Sequence, residues 1–218
     1  MVPDISSQNP VLPIISGFCP KARALFALAM THHQSPNFQL WCLMEDKRIE
    51  NLAPYEKCFN YLSTFLQGHG SDKGISSRRE EISKLMQLCY DDDCIGGALA
   101  GDCISALDIA YECALDEDDS GAAEVSMMAL AGAVSRFNED VEQPDNDKAD
   151  DIFAAELEFQ MQIANEIKKA NLNPSSKISC SVIKDLLAEV EEHGISNIGL
   201  EFNLLEDEED EHLSDLPF

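Results

Sequence analysis

Apolar and small residues recur at steps of three and four along most of the chain, the spacing of helices with one dry face. The clearest run is Leu99, Cys103, Ala106, Ala110 and Cys113, with Ser105, Asp108 and Glu112 on the wet side. The stretch Asp116-Glu117-Asp118-Asp119-Ser120-Gly121 breaks it, and a second run follows through Val125, Met128, Ala129, Gly132 and Ala133. Asp118, Asp119 or Ser120 can cap the second helix, where carboxylates also meet the positive end of its dipole. So short a link predicts an antiparallel hairpin. Gly96, Gly97, Gly101, Gly132 and many alanines leave little bulk, so the backbones can approach closely. The pattern therefore puts this hairpin, over 95–137, at the centre of the core.

The flanking segments follow the same rule. Prolines 3, 10 and 13 with Ser6, Ser7 and Gly17 predict an extended lead-in over 1–17. Leu25, Leu28 and Ala29 predict a helix from about Pro20 to His33, ended by Ser35-Pro36, because a residue before proline avoids the helical region. Asn37 opens a second helix through Phe38, Trp41 and Cys42. A third starts near Asn51, tolerates Pro54 in its first turn, and closes at Gly68-His69-Gly70-Ser71. Ser77 and Glu80 form a capping box that opens a fourth, through Ile82, Leu85, Met86 and Cys89. Beyond the hairpin, Glu139 to Asp151 reads as an acidic link containing Pro144. A helix from about Asp150 to Ala170 carries Leu157, Met161, Ala164 and Ile167 on one face. Asn173-Pro174 starts the last helix, with Ile178, Val182, Leu186 and Val190 on one face and Gly194 as its stop. The chain then runs on in a short extended segment to Leu205. The expected fold is all-α: a single-domain antiparallel bundle of about seven to eight helices over 18–205, with an acidic tail at 206–218.

Composition changes this picture in one respect, charge. The 218 residues carry a formal net charge of −26, and it is unevenly placed. Residues 1–90 hold eight acidic and nine basic side chains, whereas residues 91–218 hold 33 acidic and six basic. Such a field repels nucleic acid and anionic membranes, whose recognition needs clustered lysine and arginine. It steers a basic protein inward. Apolar runs stay short of the roughly 18 residues of a membrane span, and the start of the chain lacks a secretory pattern. The eight cysteines form no C-x-x-C pair, and several sit at apolar helical positions, as reduced thiols of a cytoplasmic chain would.

Candidate chemistry is sparse. Asp108 and Glu112 stand one turn apart, with Asp102 near a neighbouring turn, but di-iron bundles add Glu-x-x-His pairs that the predicted helices lack. These carboxylates read as a solvated face. Glu189 and His193 read as a helix-end pair favoured by the dipole. No catalytic, cofactor-binding or metal-binding residue is assigned. The expected function is an acidic interaction protein whose partner-binding residues are Asp116, Glu117, Asp118, Asp119, Glu139, Asp140, Glu142, Asp145 and Asp147. Its partner is a basic protein: a nuclease-type toxin held by an immunity-like inhibitor, or a DNA-binding protein whose basic face is masked. The alternative is a carboxylate-metal protein or enzyme whose residues converge from distant helices. A homo-oligomer, with the chain as a structural subunit, is a second rival.

Two segments carry a resemblance: Ser35-Pro-Asn-Phe-Gln-Leu-Trp-Cys42, and Gly194-Ile-Ser-Asn-Ile-Gly-Leu-Glu-Phe202. With the small-residue helix around Cys103 they resemble the YjaG-like family of bacterial proteins of unknown function, from about Phe18 to Leu205. The resemblance implies an all-helical, single-domain, acidic, cytoplasmic protein and brings no activity with it. Members of that family place an aspartate two residues before the cysteine of the central helix. Here Asp102 is its immediate neighbour, about 100° away on the wheel, so no role is transferred. As a physical motif, Ser196-Asn-Ile-Gly199 predicts a turn. Ser196 and Asn197 would bond their own backbone, Ile198 would enter the core, and Gly199 would admit a neighbour closely.

Overall fold

In the computed structural model, residues 9–45, 47–117, 119–139, 146–175 and 177–202 are described, with backbone alone at 72, 135–139 and 146–150. The described residues form eight helices. These are α1 (Leu12–Ile15), α2 (Pro20–Leu43), α3 (Leu52–Leu66), α4 (Asp72–Tyr90), α5 (Ile95–Leu115), α6 (Gly121–Glu139), α7 (Asn146–Lys169) and α8 (Cys180–His193), with a 3₁₀ turn at Ile49–Asn51 before α3. The all-α bundle expected from the pattern is what forms.

Its centre is α2 packed on α5, the most extensive helix pair in the molecule, and not the α5–α6 hairpin. The reason lies in composition. Eighteen of the 24 residues of α2 are buried, on every side of the helix. A helix that is dry all round belongs inside. It touches α3, α5, α6, α7 and α8, while α4 reaches the core through α3 and α5. Small residues let α2 and α5 come close: the Cys103 thiol lies 3.6 Å from the Thr31 carbonyl. Gly97 has a different neighbour, because a Cβ there would sit 2.6 Å from the Cys89 carbonyl. Its missing side chain serves the α4–α5 turn.

Four boundaries differ from the pattern. Pro36 lies inside α2, which does not stop at Ser35. An interior proline costs about 3 kcal/mol. Burial of Phe38, Trp41 and Cys42 beyond it, at roughly 1.5–3 kcal/mol for each large apolar side chain, outweighs that. Helix α4 opens at Ser71, whose hydroxyl accepts from Gly74 N at 3.2 Å, so Ser77 is an exposed residue of its second turn. Helix α8 opens at Ser179, whose hydroxyl accepts from Val182 N, and not at Pro174. Asn173 instead accepts from Ser175 N in a turn of its own, and Ile178 N donates to Leu66 O at 3.1 Å. The acidic link is shorter than expected, because α6 runs to Glu139 and α7 begins at Asn146. At the two ends, the lead-in contains α1 and buries Val11 and Ile15. The segment after Gly194, which caps α8 at φ 83°, folds back so that Ile195 and Glu201 form one antiparallel bridge. The tail at 206–218 lies outside the described residues.

Candidate functional site

Polar groups are buried where α2, α6, α7 and the 195–201 turn meet. His33 of α2 is fully buried, and its Nε2 lies 2.8 Å from Oε2 of Glu156 in α7, itself 4% exposed. Gln160, one turn along α7, donates to Glu156 Oε1 at 2.8 Å and to the Ser126 carbonyl at 3.1 Å. The Ser126 hydroxyl donates to Gln160 Oε1 and accepts from Asn9 Nδ2. A second branch starts one turn along α2. Asn37 Nδ2 donates to Asn197 Oδ1 at 2.9 Å, and Asn197 Nδ2 donates to the Ala129 carbonyl at 3.0 Å. Gly132 makes room for this, since a Cβ there would lie 2.8 Å from Asn197 Nδ2. Two buried atoms in these chains, His33 Nδ1 and Asn37 Oδ1, have no hydrogen-bond partner among the described residues.

The turn motif therefore divides its labour differently from expectation. Ser196 does bond its own backbone, its hydroxyl accepting from Ile198 N and Leu200 N. Asn197, not Ile198, enters the interior; Ile198 stays half-buried. Glu156, His193, Ser196 and Asn197 line a cavity of about 100 Å³ beneath the turn. That is room for a few waters or a molecule of a few heavy atoms. His193 packs on Phe159, which stacks on His33 at 4.0 Å between ring centroids. Burial first, and then neighbouring His33, push the His193 imidazole below its ordinary range. Glu189 is hydrogen-bonded to Gln162 instead of pairing with His193.

The expected partner-binding residues fall in three groups. Asp116 takes the left-handed cap of α5, and it and Asp119 accept Arg23 Nη2 at 3.1 and 2.7 Å. Glu117 accepts Arg79 Nη1 at 3.1 Å. Glu139 ends α6 and Asp147 lies in the first turn of α7. Asp118, Asp140, Glu142 and Asp145 lie outside the described residues. The carboxylates read as a merely solvated face are also engaged. Asp108 and Glu112 hold Arg79 at 2.9 and 2.6 Å, and the guanidinium is held above its ordinary range, foremost by its hydrogen bond to Asp108. All eight cysteines are free thiols. Among the described residues, no group of three or more His, Cys, Asp or Glu is placed to hold a metal ion. None of the described helices is long and apolar enough to cross a membrane.

Pattern reasoning did not join His33 to Glu156 because they are 123 residues apart in sequence. The one local signal was a histidine pair at 32–33 inside an otherwise apolar helix. Fold and junction together define a helical bundle that spends its buried polar groups on joining distant segments. The chain belongs to the family described as "Protein of unknown function (DUF416)", whose profile matches residues 14–201. An uncharacterised protein of Haemophilus influenzae is 24% identical over 202 residues, covering 90% of this chain and 99% of that one. The crystal structure of a DUF416 family protein from Shewanella baltica is similar in fold, with a TM-score of 0.69 at 19% identity, over 87% of this chain and 97% of that one.

Proposed function

We propose that this chain is an acidic interaction protein of the bacterial cytoplasm that binds a basic protein, and that the YjaG-like kinship of its two signature segments holds within the wider family. The observation that carries the reading is the separation of charge: 33 acidic against six basic side chains beyond residue 90. Charge of one sign over more than half a chain raises encounter rates with an oppositely charged partner and selects against others. The way Arg79 is held supports it. Asp108, Glu112 and Glu117 surround one guanidinium, so the surface already receives an arginine in multidentate fashion. A nuclease-type toxin held inactive and a DNA-binding protein with its basic face covered are the two kinds of partner that fit.

The test is capture from lysate at low salt and at about 0.5 M, where the screening length falls to a few ångströms. The bait is the wild type and a variant with Asn or Gln at the nine partner-binding positions. The expected result is a basic protein that the wild type retains, salt releases and the variant loses. Equal retention by the variant, or capture of acidic and neutral proteins alone, overturns the reading. The rival, a carboxylate-metal protein or enzyme, has the His33–Glu156 pair beside its small cavity in its favour. A metal retained through purification, with a melting temperature lowered by chelator, would favour that rival.

A further inference from the structure

A larger cavity, of about 520 Å³, opens where the α4–α5 turn meets α6. Ile95, Ala98, Leu99 and Ala131 supply apolar wall, and Asp92, Asp93 and Asp102 supply three carboxylates. Among the described residues, no lysine, arginine or histidine lines it. From Cys94 to Asp102 it follows α5 for eight residues, about 12 Å at 1.5 Å per residue. The carboxylates differ in their surroundings. Asp92 is already engaged, accepting from Trp41 Nε1 at 2.7 Å and pairing with Arg48 at 2.9 Å. Among the described residues, Asp102 has no cation against it. Burial pushes its carboxyl up to about 6, and among the described residues the Tyr90 hydroxyl opposes this. A partly buried carboxylate without a counter-charge is costly to keep, and such costs concentrate at functional sites. The rim is apolar as well: Tyr90 is 51% and Ile95 42% exposed, two of the few large apolar side chains left in contact with solvent among the described residues.

We propose that this cavity receives the cationic end of a lysine or arginine side chain from a basic protein, with Asp102 taking the charge and Ile95, Ala98 and Leu99 sheathing the alkyl stem. The inference rests on the function proposed above for the source of the cation, and it places the anchor on α5, away from the acidic links. Charge complementarity selects the occupant. With Asp92 offset by Arg48, Asp93 and Asp102 still outweigh the roughly half positive charge of the α5 N-terminus, and the apolar wall fits methylenes better than a hydrated metal ion.

The probes are n-butylammonium and n-butylguanidinium, titrated into the full chain while the methyl signals of Ile95, Ala98, Leu99 and Ala131 are followed by NMR. Butan-1-ol is the uncharged control. Saturable shifts confined to these methyls are expected, at least tenfold weaker with butan-1-ol and at least tenfold weaker in Asp102→Asn. The Asp102 carboxyl should titrate lower with amine bound, since a cation favours its charged form. Shifts no larger than those from butan-1-ol, or unchanged in Asp102→Asn, overturn the cavity as a cation site, whatever the capture experiment returns. Amine binding without capture of any basic protein overturns the protein source, and the site is then one for a free amine.

Discussion

Two carboxylates in this protein are withdrawn from water and have opposite consequences. Glu156 is buried with His33 and Gln160 hydrogen-bonded to its two oxygens. Removing Glu156 leaves buried hydrogen-bonding atoms of His33 and Gln160 unsatisfied, which costs about 2–5 kcal/mol in all. Glu156→Ala is therefore expected to lower unfolding free energy by that amount, read from urea midpoints at an unchanged slope. Asp102 is partly buried with no cationic partner among the described residues, and burial pushes its carboxyl up to about 6, above the ordinary range near 3.9 that it regains on unfolding. Between about pH 4 and 6 the native state thus binds the extra proton, so stability falls as pH rises through that window. Above about 6 the penalty is fully present. Asp102→Asn removes it: the variant should gain on the order of 1–3 kcal/mol at pH 7.5, and little at pH 4. An unchanged difference between wild type and variant at the two pH values would show that Asp102 is not perturbed in the native state.

At the scale of elements, periodicity located the helices and local punctuation misplaced their ends. Leu99 to Cys113 and Val125 to Ala133 lie in α5 and α6 as their spacing requires. Ser35-Pro36 and Asn173-Pro174 carry sound local signals, yet the first pair lies within a helix and the second within a turn. In both cases distant contacts decide: the buried end of α2 in one, the Ile178–Leu66 hydrogen bond in the other. The capping box at Ser77 loses to Ser71, which sits one turn and a half earlier and lets Ile75 and Ile82 both be buried. Substitution separates these readings. Ser71→Ala should cost about 1 kcal/mol, the value of a lost N-cap, whereas Ser77→Ala should stay within about 0.5 kcal/mol. Thermal unfolding of the two single variants checks this. The buried polar junction was illegible for a related reason: its members come from 9, 33, 37, 126, 156, 160 and 197, and no window of sequence contains two distant segments at once.

The whole molecule is an anion, and its internal ion pairs soften that only locally. Arg23 and Arg79 serve five carboxylates between them. A net charge of −26 leaves the compact state under self-repulsion, which salt screens. Stability should rise from low salt to about 0.5 M sodium chloride, by on the order of 1 kcal/mol, before any ion-specific effect enters. Differential scanning calorimetry across that range tests it; a fall in melting temperature would mean that the arginine clusters matter more than the overall repulsion. The charge asymmetry was fully legible in the sequence. The placement of Asp102 in a cavity was not, since its walls are drawn from α4, α5 and α6.

The dry-sided helix at the heart of the bundle has a consequence for synthesis. Pro20–Leu43 leaves the ribosome well before its chief cover, Ile95–Leu115, which is finished some seventy residues later. At translation rates of about 5–20 residues per second, a greasy rod stands naked for several seconds. A holding chaperone, or transient collapse with Leu52–Leu66, would shield such a segment until its lasting neighbour arrives.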